Sequence, residues 1–270
     1  MVNSIKDLMT EADTISEITL MLGQKKDRIC VVVEGEDDQK IFGHLLTENV
    51  DLFPSYAPKR GIERIVKDHF PKNKRVIGIR DRDYCSKKIN SRIFFCDYCC
   101  AEMMMISIDS CFSRLYCNCY RGQATMEDLR LYCLEHLETF SKIRKMNETK
   151  KWMIRLAGIN VNSLYDQNIT NMDNAIVAEI NHQNPNNQLN ISRQNKCANL
   201  PKCTTLSNYL TITNGHDFVK MFAKMCPRGT SIDTITGILR GTFGQEEFKQ
   251  TELYDSLKKY QSNKNVRIVY

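Results

Sequence analysis

The run Arg28–Asp38, RICVVVEGEDD, decides the fold. Ile29–Val33 within it is an unbroken apolar, β-branched segment with no polar alternation. It therefore reads as a strand covered on both faces, as in a parallel sheet packed between helices. Glu34-Gly35 breaks the run, and residues 37–48 continue as a helix with Ile41, Phe42, Leu45 and Leu46 on its apolar stripe. Farther along, Arg75–Arg80 (RVIGIR) repeats the strand pattern and ends at Asp81-Arg82-Asp83, with a short helix expected over 62–70 between them. Ile93–Cys96 (IFFC) is a third strand, followed by a helix through Glu102 and the cluster Met103–Met105. Strands alternating with helices indicate an α/β fold, a parallel sheet flanked by helices.

Around this nucleus the pattern is helical. Ile5, Leu8, Met9, Ala12 and Ile15 give residues 1–23 an amphipathic spacing. Thr125-x-x-Asp128 resembles a capping box, and Met126, Leu129, Cys133, Leu137 and Phe140 follow it at helical intervals. The Asn-rich stretch 181–200 reads as a loop, and helices are expected over 216–226, 231–240 and 246–261. No internal repeat is visible. The expected division is an α/β domain with its N-terminal helix over 1–120 and a mostly helical C-terminal half over 121–270.

The 270 residues are 42% hydrophobic and 26% charged, which excludes disorder, a collagen-like repeat and a disulfide miniature. No apolar run approaches the roughly 18 residues that cross a bilayer. The N-terminus lacks the basic start and apolar run of a secretory signal, so a cytoplasmic location and no membrane contact are expected. In that compartment the twelve cysteines are expected to be reduced thiols. The net charge of +6 is unevenly spread: Lys59–Arg92 holds twelve Lys or Arg against four acids, a local +8. Concentrated positive charge suits a polyanion, because each neutralised phosphate releases condensed counterions. A solvated helix face would carry the same charge, but two of the four acids in this basic stretch, Asp81 and Asp83, stand one residue apart.

In an open parallel sheet, ligands gather at the C-terminal ends of the strands. Glu34 follows the first strand, and Asp81 and Asp83 follow a later one; if the two strands are neighbours, three carboxylates converge. Asp38 projects from the first turn after Glu34 and can join them. An isolated Asp-x-Asp is commonly a turn or a cap. Two such acidic strand ends in this order are more specific, and alternation along a strand puts Asp81 and Asp83 on one side. Crowded carboxylates call for raised pKa values or a compensating cation, for which hard, oxygen-seeking Mg²⁺ (or Mn²⁺) is the natural choice.

Val33-Glu34-Gly35-Glu36-Asp37-Asp38 followed by Ile79-Arg80-Asp81-Arg82-Asp83 resembles the Toprim (topoisomerase–primase) pattern over about residues 27–110. Among Toprim proteins the chain is most similar to the AriB-like effectors of the PARIS anti-phage defence systems, relatives of the OLD nucleases. Chain size, Phe95-Cys96-Asp97-Tyr98-Cys99-Cys100-Ala101-Glu102 and the distal Asn214-Gly215-His216-Asp217-Phe218 carry that finer likeness. The resemblance implies catalytic roles for Glu34, Asp81 and Asp83, metal ligation by Glu34, Asp38, Asp81, Asp83 and Glu102, and a nuclease that cuts host transfer RNA as the toxic effector of abortive infection. It further implies an AriA-like ABC-type ATPase partner and a homodimer when free. Lys59, Arg60, Arg82, Lys87, Lys88 and Arg92 are the candidate phosphate contacts in the basic stretch, with His216 a more distant one that also suits a helix cap.

Other signals are weaker. Cys96-x-x-Cys99-Cys100 with Cys117-x-Cys119 has poor spacing for zinc. Met103–Met105 suits core packing. Tyr84 follows the acidic pair, but no topoisomerase-like DNA module accompanies it. Two alternatives stay open: an OLD-like DNA endonuclease using the same acids, and an inactive Toprim module that only docks a partner. No Gly-rich phosphate loop ending in Lys-Ser/Thr occurs, so any ATPase is expected on a separate chain.

Overall fold

A computed structural model describes residues 10–159 and 172–270. Four strands, β1 (Ile29–Val33), β2 (Val50–Pro54), β3 (Val76–Arg80) and β4 (Ile93–Phe95), form one sheet in the order β2-β1-β3-β4, parallel throughout. All five residues of β1 and of β3 are buried, as their unbroken apolar sequence requires. β2 went unread in the sequence. Its VDLFP composition, with Asp and Pro, is tolerated because β2 is an edge strand where a proline forfeits no ladder bond.

Helices cover the sheet. α1 (Glu11–Gln24) is closed by a capping box between Thr10 and Asp13, and it packs Ile18, Met21 and Leu22 into a core with Cys30, Val32, Phe53, Val76 and Ile93. Ile5, Leu8 and Met9 lie outside the described residues. α2 (Glu36–Phe42) stops at Gly43, short of the expected 48, and Leu46 instead bridges Val269. α3 (Pro58–Arg64) begins earlier than expected, at a proline suited to a first helical position, and widens into a π-turn over Ile65–His69. Its Ile62 lies against Gly78 of β3 so closely that a Cβ there would collide with the Ile62 methyl.

The compact units run differently from a division at residue 120. The first holds the chain up to Ala101 together with Arg240–Tyr270, and the second holds Glu102–Leu239. The reason is the return of the C-terminus. Thr47 N–H donates to the Ile268 carbonyl (2.9 Å), and Tyr260 sets its ring edge-on to Phe94 of β4. The expected helix over 246–261 is two, α12 (Gln245–Phe248) and α13 (Glu252–Lys264), the second capped by Thr251 and by Asp97.

In the second unit α4 (Ala101–Ser107, which begins one residue before the boundary) buries Met103, Met104 and Met105 completely, as core packing requires. α5 (Asp109–Cys119) precedes the long α6 (Met126–Thr149), whose N-cap Thr125 accepts the Asp128 N–H as the motif predicts. α7 (Met172–Gln183) follows, and the expected loop 181–200 contains α8 (Ile191–Ala198), capped by Asn190. Five polar or charged residues and a high Asn content hide α8 in the sequence; only Cys197 is buried along it. α9 (Leu206–Ile212) and α10 (Gly215–Met225) pack with α5 and α8 on α6, and α11 (Ile232–Thr242) leads back to the first unit. None of the twelve cysteines, all among the described residues, forms a disulfide. Among the described residues no helix is long and apolar enough to cross a membrane.

Candidate functional site

β1 and β3 are neighbours, with Val32 opposite Gly78, so the residues that leave their C-terminal ends emerge side by side. The chain goes from β1 to one edge of the sheet (β2) and then returns to its other side (β3, β4). This makes the β1/β3 gap a switch point, where the crevice of an open sheet forms. Glu34 and Asp81 stand at that gap. The Asp81 N–H donates to Glu34 Oε1 (3.1 Å), and the Asp81 carboxylate accepts the N–H of Ala101 (3.0 Å). Asp38 accepts the Gly35 N–H (3.0 Å) from the first turn of α2, where the helix dipole favours an acid. Asp83 takes a left-handed backbone (φ 49°) and donates its N–H to the Cys99 carbonyl (2.7 Å). A non-glycine residue in that region marks a loop whose shape is held by its surroundings.

Electrostatics tie the four acids together. Burial and the nearby Asp83 carboxylate raise the Glu34 pKa to about 7, against the pull of Lys59, Arg80 and the Asp81 N–H. The buried Cys96 thiol is pushed well above its usual pKa by burial, with the charges of Asp81, Asp38, Asp97 and Glu34 acting in the same direction. Three of the expected ligands, Glu34, Asp81 and Asp83, are therefore brought together, with Asp38 beside them. Glu102 and His216 belong to the second unit. There Glu102 lies so near Gly215, at the start of α10, that a Cβ on the glycine would come within 2.7 Å of the Glu102 Cβ. The cap of α10 is Asn214, which accepts the His216 N–H (3.1 Å), while Asp217 is buried in an ion pair with Arg144.

Two cations serve this cluster, one that sequence reasoning missed and one that it expected at a phosphate. Arg80, the last residue of β3, is buried and lies 2.8 Å from Glu63, 3.7 Å from Asp83 and 4.0 Å from Glu34. A lone arginine closing an otherwise apolar strand, just before the acidic pair, was its available signal. Lys59, expected at a phosphate, instead puts its ammonium 2.6 Å from Asp83 Oδ2. That oxygen is buried and receives no directed hydrogen bond, so its compensation is ionic. Lys59 stands in the first turn of α3, where the helix dipole disfavours a cation, and the carboxylate offsets that cost.

Among the described residues no three His, Cys, Asp or Glu side chains are gathered closely enough to hold a metal ion as placed. The donor chemistry nevertheless suits a hard divalent cation: all four groups are carboxylates, one is driven towards neutrality by crowding and burial, and another is matched most closely by the Lys59 ammonium.

The remaining candidates divide. Arg60 is exposed on α3. Arg82 is half-buried against Phe95, and Lys87 and Lys88 are exposed along the following loop. Arg92 is corrected: it is buried and donates to the carbonyls of Asn73 (2.8 Å), Val76 (3.0 Å), Val66 (2.5 Å) and Pro71 (2.9 Å). It clasps the loop ahead of β3, and both terminal nitrogens are spent on carbonyls, not on a phosphate. The chain matches no model of a known protein family and no curated protein sequence.

Proposed function

We propose that this chain is a divalent-metal-dependent phosphodiesterase of the Toprim type, cutting RNA as the toxic effector of an anti-phage system. The observation that supports hydrolytic chemistry is the meeting of Glu34 with Asp81 and Asp83 at the β1/β3 switch point, with the Glu34 carboxyl poised at about 7. Transfer RNA as substrate, an AriA-like ABC-type ATPase as partner and a free homodimer rest on the sequence resemblance in Val33–Asp38 and Ile79–Asp83 alone.

Glu34, Asp38, Asp81 and Asp83 would hold Mg²⁺ or Mn²⁺. Bound there, the ion would polarise the scissile phosphate and lower the pKa of an attacking water. Where Glu34 is not itself bound to the ion, its carboxyl, raised towards neutrality by burial and Asp83, is suited to receive the proton of that water; bound to the ion, it serves as a ligand only. The Asp81 N–H holds Glu34 Oε1 and so fixes its orientation. Arg80 stays buried as the permanent counter-charge, while Lys59 has the length to leave Asp83 for a phosphate oxygen when a cation takes its place. Arg82, between the two aspartates, and Lys87 and Lys88, just after them, are placed to meet adjoining phosphates.

The test is cleavage of purified transfer RNA by the full chain with Mg²⁺. Activity should vanish in EDTA and fall by about a hundred-fold or more in Glu34→Ala and Asp81→Ala, with their circular dichroism unchanged. Undiminished cleavage in both folded variants would overturn the assignment.

A further inference from the structure

One concavity in the first unit lies beside the acids and shares Arg82 with their loop. A cleft of about 720 Å³ opens between the loop after Asp83, the edge strand β4 and helix α13. From the loop come Arg82, Lys87 and Lys88; from α13 come Lys259 and Lys264 together with the cleft's one acid, Glu252, which lies 3.8 Å from Arg82. The α13 contributors Glu252, Ser256, Lys259, Tyr260, Asn263 and Lys264 are spaced 4, 3, 1, 3 and 1 residues apart, so one helix face lines the cleft. The lysines are exposed, whereas Tyr260 is buried and spends its hydroxyl on the Lys74 carbonyl (2.9 Å), forming floor rather than rim. Five cations against one anion on facing walls attract a polyanion and nothing neutral.

We infer that this cleft is the track for a single strand of RNA leading to the acidic site, an inference that rests on the nuclease reading and adds Lys259 and Lys264 to its binding residues. Arg82 supplies the connection, since it lies between Asp81 and Asp83 in the chain and also lines the cleft. From Glu252 to Lys264 the helix rises about 18 Å, enough to accompany a few consecutive nucleotides. A cleft of this volume is of small-ligand size. A single strand is the occupant assigned to it, and competition by duplex is the test of that choice. A strand entering it passes two walls of cations before its phosphate reaches Asp81, so α13, remote in sequence, sets where the strand lies. The basic stretch 59–92 provides only one of these walls.

The experiment measures binding, apart from cleavage. A fluorescein-labelled single-stranded RNA 12-mer is titrated with the full chain in EDTA across a salt series, followed by anisotropy. Lys259→Gln/Lys264→Gln should weaken binding at least ten-fold at low salt. It should also flatten the slope of log K against log salt by about 1.4, since each single-strand phosphate contact contributes about 0.7. A control pair of equal charge change, Lys25→Gln/Lys26→Gln, should change neither, and thermal melts should confirm that both variants fold. Unlabelled duplex RNA should compete more weakly than the single strand. Wild-type slope and affinity in the cleft variant, an equal loss in the control pair, no RNA binding at all, or stronger competition by duplex would each overturn the track. If binding depends on Lys259 and Lys264 but Glu34→Ala still cuts, the catalytic assignment fails and the track stands.

Discussion

Glu34 carries opposing demands: it is largely buried, beside another carboxylate, yet within reach of Lys59 and Arg80. Burial and Asp83 win, and its pKa moves from 4.5 to about 7. Linkage gives the sign for stability. The folded metal-free protein holds a proton on Glu34 that the unfolded chain releases above about 4.5, so the fold loses stability as pH rises from about 4.5 to about 7, and the loss levels off above that. Glu34→Gln, which keeps an oxygen for the Asp81 N–H, should therefore stabilise the metal-free protein by up to about 3 kcal/mol at pH 8, with the gain fading below pH 5. Urea unfolding in EDTA at both pH values reads this directly, and an equal effect at both would show that burial is not what raises the group. Residue identity was legible here, because the acids announce themselves by following two apolar strands. The opposite roles of chemically similar cations were not: Arg82 and Arg92 sit ten positions apart in one basic stretch, and only packing makes the first a cleft wall and the second a buried clasp.

At the level of elements, β1 and β3 were legible because burial on both faces leaves a continuous apolar signature, whereas β2 and α8 were not. An edge strand tolerates Asp and Pro, and a short exposed helix needs almost no apolar stripe. The start of α13 depends on two caps. Thr251 is local and readable, but Asp97 comes from the loop after β4 and accepts the N–H groups of Glu252 (2.8 Å) and Leu253 (2.9 Å). Desolvation raises the Asp97 pKa even so, the two hydrogen bonds only partly opposing it. Asp97→Ala should cost about 1 to 2 kcal/mol, as helix caps do, and chemical denaturation should report it. The same variant should weaken RNA in the cleft, since α13 is one of its walls. A stability unchanged from wild type would show that Thr251 suffices alone.

For the molecule as a whole, the first unit is discontinuous, closed by residues that arrive after the second unit has been made. Phe248, Leu253, Tyr254, Leu257, Tyr260, Ile268 and Val269 are all buried in that returning segment. Seven such side chains at about 1.5 to 3 kcal/mol each are comparable to the whole of the roughly 5 to 15 kcal/mol by which domains are stable. A chain ending at Leu239 should therefore lose hydrogen-exchange protection of the β1 and β3 amides while helical signal from the second unit persists. Retained protection in those strands would mean that the sheet stands without its C-terminal cover. Local chemistry by itself determined the parallel α/β nucleus, its acidic strand ends and the helical character of the C-terminal half, because hydrophobic spacing and strand-end position are properties of neighbouring residues. The tertiary structure decided which cations neutralise the acids, which residues close the sheet and which helix walls the basic cleft. Those are contacts between segments as much as two hundred or more positions apart, paired by the fit of burial and charge that no short stretch contains.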